Sequence, residues 1–216
     1  MEELALQVPK TARILRSEIN SECKATILGF HGYGQSADDL WEAFSPQLNP
    51  EFEWIFPEAL NVFYPKGLYG KTGNSWMTSK FRLHEIEDYR NYIRQVAELK
   101  LLKGKPSVWL GFSQGVTTLL RALETIPDKH FPGLVICIAG SLPSEWHNKW
   151  PETLKVPQVV FLRGDKDLLI SKNQVQRTLN ELNVHFNYQE FQGKHELNDE
   201  ALSLIIQNVN TFLLGN

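Results

Sequence analysis

Apolar runs of five or six residues alternate with helical patterns along most of this 216-residue chain. That alternation limits the fold more than any other feature. Strands separated by helices lie parallel, and a parallel sheet must be covered on both faces. Ala25-Thr26-Ile27-Leu28-Gly29-Phe30 reads as a buried strand. Ser36 with Asp39 three positions on has the form of a capping box, which predicts a helix through Leu48. A second buried strand runs from Phe52 to Phe56 and is stopped by Pro57. Ile86, Tyr89, Ile93, Val96 and Leu99 recur at spacings of three and four, so 85–102 is an amphipathic helix, punctuated by Gly104 and Pro106.

The second half repeats the scheme. Strands are expected at 108–112, 134–139 and 159–162, and helices at 114–125 and 172–182. Val184, Phe186 and Tyr188 alternate with polar residues, as on a half-exposed strand. A last helix runs from Asn198 to Leu213. Leu4–Val8 and Ala12–Arg16 are read as an antiparallel edge. The sum is a mostly parallel α/β sheet with helices on both faces.

A chain of this length with 42% hydrophobic residues fits one domain, 1–216, with a core that needs no disulfide staples. Cys23 and Cys137 lack the spacing of a zinc knuckle. The start, MEELALQVPK, is acidic where a secretory signal is basic, and no apolar run nears the ~20 residues of a membrane helix. A cytoplasmic protein without integral membrane association is the expectation. Net charge is −3 and no basic stripe is present, which argues against nucleic-acid binding.

The chemistry centres on Gly111-Phe112-Ser113-Gln114-Gly115, where a strand ends and a helix begins. A tight strand-to-helix turn strains the residue at its apex, and glycines two positions either side remove the clash. The serine oxygen is then lifted above the sheet, beside the N–H of the next residue. An exposed nucleophile and an oxyanion donor are two needs of acyl transfer. A plain tight turn with a capping serine would read the same way without partners.

A serine hydroxyl needs a base. Of six histidines, His195 lies between the last strand and the last helix, at the sheet edge where Ser113 rises. The base needs a carboxylate to fix its tautomer. Asp165 and Asp167 both follow the strand 159–162; Glu190 and Asp199 are lesser alternatives. The order Ser, Asp, His is the one this type of site requires. A second oxyanion donor is expected from Phe30-His31-Gly32-Tyr33-Gly34, with the Tyr33 N–H as candidate and His31 as loop support. The same loop also fits Gly-x-Gly-x-x-Ala of dinucleotide sites, with Glu53 about twenty residues on. That acid should close the second strand, and Glu53 opens it.

Phe30-His31-Gly32-Tyr33-Gly34, the elbow with its Gln114, the Gly164-Asp165-Lys166-Asp167 turn and His195 together resemble the carboxylesterase, phospholipase and acyl-protein thioesterase group of α/β-hydrolases. The resemblance implies an α/β-hydrolase fold with no separate cap domain. It implies Ser113 as nucleophile, Asp167 as acid, His195 as base, and the Tyr33 and Gln114 amides as oxyanion hole. The family acid is commonly followed by proline, where this chain has Leu168. The implied substrate is a small-molecule or acyl-chain ester or thioester, with no cofactor or metal, and with a homodimer left open. A binding protein on the same scaffold, or transfer of the acyl group to another acceptor, are the alternative readings.

Residues 57–80 read as a long structureless loop with several aromatics. In the related enzymes this segment borders the acyl pocket, so Trp76 and Met77 are candidate acyl contacts; Trp76 could equally anchor the loop on the core. Leu142 and Leu168 are further candidates for an apolar wall, which would favour an acyl chain over a charged or sugar substrate.

Overall fold

A seven-stranded sheet runs through the middle of the molecule in the order β1-β3-β2-β6-β7-β8-β9. The structure is a computed structural model, and it describes residues 2, 4–18, 23–99 and 104–215. Its strands are β1 (Ile14–Arg16), β2 (Ala25–Phe30), β3 (Phe52–Pro57), β6 (Ser107–Phe112), β7 (Leu134–Ile138), β8 (Gln158–Gly164) and β9 (Asn187–Phe191). All neighbours pair in parallel except β1, which runs antiparallel to β3. A short hairpin of β4 (Asn61–Phe63) and β5 (Gly73–Ser75) forms a second, separate sheet.

Among the described residues five α-helices cover the faces: α1 (Ala37–Phe44), α2 (Arg82–Glu98), α3 (Gln114–Leu123), α4 (Lys172–Glu181) and α5 (Asp199–Leu214). Strand side chains alternate sides, so each strand feeds two cores. Trp109 packs with Tyr89 and Ile93 of α2 and Leu119 and Leu120 of α3. Val108 and Leu110 pack on the other face, with Leu40 and Phe44 of α1 and Ile205 and Val209 of α5. Strands buried on both faces explain the continuous apolar runs of the sequence.

The departures have local causes. α1 ends at Phe44 rather than Leu48, because Pro46 has no N–H to continue the helix; a short 3₁₀ turn, Ser45–Gln47, follows. The expected edge at Leu4–Val8 forms no strand: β1 pairs only through Ile14, Leu15 and Arg16. The segment 57–80 is not structureless, since it holds the β4–β5 hairpin. The last strand is Asn187–Phe191, so Val184 and Phe186 precede it, packing on the core from the connecting loop. α2 starts at Arg82, and its expected extension over 100–102 lies outside the described residues.

Candidate active site

Ser113 stands at the C-terminal end of β6, the middle strand of the seven, with φ 54° and ψ −117°. A left-handed φ on a residue with a side chain costs free energy, so its surroundings must enforce it. The Ser113 N–H donates to Ile138 O of β7 at 2.9 Å, and Gly111 and Gly115 supply the room. A Cβ on Gly115 would lie 2.1 Å from Phe30 O, and one on Gly111 would meet the Gly115 backbone at 2.6 Å. The turn therefore presses directly on β2, and neither glycine can carry a side chain in this geometry.

Three loops from three strand ends converge here. His195, between β9 and α5, has Nε2 2.8 Å from Ser113 Oγ and Nδ1 2.8 Å from Asp167 Oδ2. Asp167 follows β8, and its side chain is 0% exposed. Its second oxygen, Oδ1, accepts from the Leu169 N–H at 2.8 Å and the Ile170 N–H at 3.0 Å. With Oδ1 so occupied, Oδ2 is left to accept from Nδ1–H, and Nε2 is then free to accept from the serine hydroxyl. Asp165 does something else: its Oδ1 accepts from the Gly193 N–H at 2.9 Å, tying the acid loop to the histidine loop.

The β2 loop lies against the elbow. A Cβ on Gly32, the residue before Tyr33, would fall 3.2 Å from Ser113 Cβ. Gln114 opens α3, so its N–H is one of the first-turn donors with no intrahelical acceptor. His31 supports the loop from below. Its Nδ1 donates to Gly32 O at 2.8 Å and its Nε2 accepts from the Ala59 N–H at 3.0 Å. Burial pulls its pKa down to about 4, against smaller opposing effects of the Gly32 carbonyl and Asp39. The ring is neutral near pH 7.

A family profile described as serine hydrolase (FSH1) matches residues 21–201, most of the chain. The chain belongs to the serine hydrolase (FSH1) family. No curated protein matches it. Among solved structures it is similar to acyl-protein thioesterase 2 of Zea mays (TM-score 0.70, 16% identity, 94% of this chain and 100% of that one). It is also similar to the esterase PE8 (TM-score 0.66, 18% identity, 94% and 98%) and to Arabidopsis thaliana SOBER1 (0.68, 19%, 88% and 99%). At such identities these likenesses establish the α/β-hydrolase fold.

In this serine hydrolase the other expected residues differ in exposure and partners. Trp76 is 1% exposed and anchors the hairpin on the core, packed against Phe30, His31 and Tyr89. Met77 is half-buried, its sulfur 3.3 Å from Nη1 of both Arg82 and Arg121. Leu142 is buried, and Leu168 is 94% exposed beside the acid. Glu53 is buried against Arg16 and the Thr26 hydroxyl, which removes it from any ribose. A groove of about 930 Å³ between the N-terminal segment and α2, lined by Leu6, Val8, His84 and Tyr92 among others, includes neither Ser113 nor His195. Among the described residues no helix is long and apolar enough to cross a membrane, and no cluster of ligand side chains is placed to hold a metal.

Sequence reading missed Arg163. It is buried at the end of β8, donating to Ile170 O at 2.6 Å and Asp167 O at 3.0 Å and pairing with Glu190 at 3.2 Å. The available signal was an arginine closing an otherwise apolar run, Val159-Val160-Phe161-Leu162. A charge there needs partners on the loop above.

Proposed function

We propose that this serine hydrolase cleaves carboxylic esters or thioesters of small or acyl-chain substrates through an acyl-enzyme on Ser113. The observation that carries the reading is the continuous chain from Ser113 Oγ through His195 to Asp167, with 2.8 Å at each link. Two of the structural neighbours bear names of an esterase and an acyl-protein thioesterase, which supports the same bond class.

In the first step Ser113 Oγ attacks the acyl carbon while His195 Nε2 takes the hydroxyl proton. Asp167 holds the Nδ1–H and stabilises the imidazolium. The carbonyl oxygen becomes an oxyanion and accepts from the Tyr33 and Gln114 N–H groups, each worth on the order of 10²–10³ in rate. Collapse breaks the ester C–O or thioester C–S bond, and the leaving alkoxide or thiolate takes the proton from Nε2. In the second step water gives a proton to Nε2 and attacks the acyl carbon. The serine then leaves with that proton and the carboxylic acid departs. Met77 and Leu168, which keep exposed surface, are the proposed contacts of the acyl group.

The test is a panel of p-nitrophenyl esters of rising acyl length, run beside an acyl thioester, for the native protein and Ser113→Ala. Turnover in the native protein and its loss in a folded Ser113→Ala variant are expected. Full activity in that variant would end the reading.

A further inference from the structure

The two N–H groups assigned to the oxyanion belong to different elements. Tyr33 lies on the loop after β2, and Gln114 is the first residue of α3. Such donors work only when held to within about 0.5 Å of the productive position. One segment, residues 73–77, grips both sides.

On the β2 side, the Gly34 N–H donates to Asn74 O at 2.9 Å and the Asn74 N–H donates to Gln35 O at 2.9 Å. The first bond holds the Tyr33–Gly34 peptide and the second holds Gln35, two residues on. The Trp76 indole N–H donates to His31 O at 2.9 Å, two residues before Tyr33. A Cβ on Gly73 would lie 2.2 Å from Gly34 O, so the two backbones touch. On the α3 side, the Trp76 backbone N–H donates to Gln114 Oε1 at 3.1 Å, and Gln114 Nε2 donates to Met77 O at 3.1 Å. Trp76 thus bonds to the β2 loop through its ring and to Gln114 through its backbone.

We propose that Trp76 and the Gln114 side chain are positioning residues that brace one oxyanion donor against the other. The inference rests on the Ser113 reading above. It gives Gln114 two separate tasks: its backbone N–H faces the reacting oxygen, and its side chain fixes the segment that orients Tyr33. The chemistry demands glutamine. The Trp76 N–H needs an acceptor and Met77 O needs a donor; a primary amide offers both, whereas an ionised glutamate only accepts. Asparagine is one methylene short. It also assigns Trp76 a role that its burial permits, where direct substrate contact would need an open face. Ser113, Asp167 and His195 are held by the end of β6, the turn after β8 and the loop before α5, and among the described residues neither Trp76 nor the Gln114 side chain hydrogen-bonds to the side chain of any of them.

Trp76→Phe removes the indole donor and keeps an aromatic ring in place. Gln114→Glu keeps the length and removes the donor to Met77 O. Each variant is compared with the native protein in three readouts on p-nitrophenyl butyrate: kcat, KM, and the Ki of an aryl trifluoromethyl ketone. The hemiketal oxygen that such a ketone forms on Ser113 occupies the oxyanion position. A fall in kcat of about 10–100-fold with KM within about two-fold is expected, a fraction of the loss of a whole donor. The ketone should weaken by the same factor as kcat/KM, because both report transition-state binding. The pH midpoint of kcat/KM should stay in Trp76→Phe, which adds no charge near the His195–Asp167 pair; Gln114→Glu, which adds a carboxylate, is not read by its pH profile. Unchanged kcat in both folded variants overturns the brace, as does a loss of kcat/KM without a matching loss of ketone affinity. Thermal melts identify any variant that has lost its fold, and the other variant then carries the test. Full activity in Ser113→Ala sinks the parent reading; a dead Ser113→Ala beside fully active Trp76→Phe and Gln114→Glu sinks the brace alone.

Discussion

Asp165 and Asp167 stand two residues apart and serve different residues of one loop: Asp165 Oδ1 accepts from the Gly193 amide at 2.9 Å, and Asp167 Oδ2 reaches His195 Nδ1 at 2.8 Å. Their neutral isosteres should therefore separate. Asp167→Asn puts a donor against Nδ1 and favours the wrong imidazole tautomer, so kcat should fall by roughly 10³–10⁴-fold. Asp165→Asn keeps an oxygen for Gly193 and should cost a few-fold at most. Steady-state kinetics on one chromogenic ester decides; equal losses would dismantle this division of labour.

Arg163 braces the acid loop from inside. Its guanidinium donates to two carbonyls of the turn that carries Asp167, and it pairs with Glu190, which also accepts from Lys172 and the Tyr188 hydroxyl. Arg163→Met strands the Asp167 and Ile170 carbonyls. A stability loss of about 2–3 kcal/mol follows from losing bonds to a charged donor. Because Lys172 still pairs with Glu190, the cost of an abandoned carboxylate is blunted. The acid loop should loosen, so kcat should fall further than KM rises. Urea unfolding together with kinetics checks both; a variant that loses stability but keeps native kcat would confine Arg163 to the fold.

Gly115 tests the elbow itself. An added Cβ would sit 2.1 Å from Phe30 O and 2.9 Å from His31 O, and both are backbone atoms of the β2 end. No side-chain rotation relieves that contact, so Gly115→Ala must push β2 and α3 apart. Overpacking of this kind costs about 1–3 kcal/mol. At this chain length that is a Tm drop of roughly 2–12 °C. Activity should fall beyond what the stability loss explains, because the displaced strand leads into the Tyr33 loop. A melt and a rate measured on the same preparation suffice; native values for both would mean the contact is absent in solution.

What the sequence made legible follows from the physics of each signal. Strands such as Leu134–Ile138 are apolar on both faces, and helix α3 follows an elbow whose glycines announce it. The meeting of Ser113 with His195 is legible because few side chains can serve as a nucleophile and a base at strand ends. Spacing alone leaves the carboxylate between Asp165 and Asp167, and the family resemblance is what favours Asp167, since side-chain direction in a tight turn depends on loop geometry that spacing does not encode. The β4–β5 hairpin was invisible because strands of three residues carry no period to read. Trp76 had two readings because an aromatic residue in a loop looks the same whether it faces a pocket or the core. Leu4–Val8 alternates like a strand, yet nothing in a local pattern says whether a neighbouring strand is in reach.

His31 makes stability depend on pH in a defined window. Its folded pKa is about 4, chiefly through burial, against 6.5 for an ordinary histidine. Protonation would also deprive the Ala59 N–H of its acceptor, Nε2. The unfolded chain therefore binds a proton as pH falls through 6.5, while the folded protein resists until about 4. Between those values the unfolded state holds more protons, so stability falls with falling pH. The loss amounts to about 3 kcal/mol from pH 7 to pH 4 and levels off below. The carboxylates with lowered pKa, such as Glu145 at about 2 beside Arg121, weaken the fold only at the acid end of that range. The interval from pH 6.5 to 5 thus isolates the histidine. Urea unfolding across it should show a slope in the native protein that His31→Gln lacks. Parallel curves for the two proteins would mean that His31 carries its proton in the folded state, contrary to the neutral ring that holds the Gly32 loop in place.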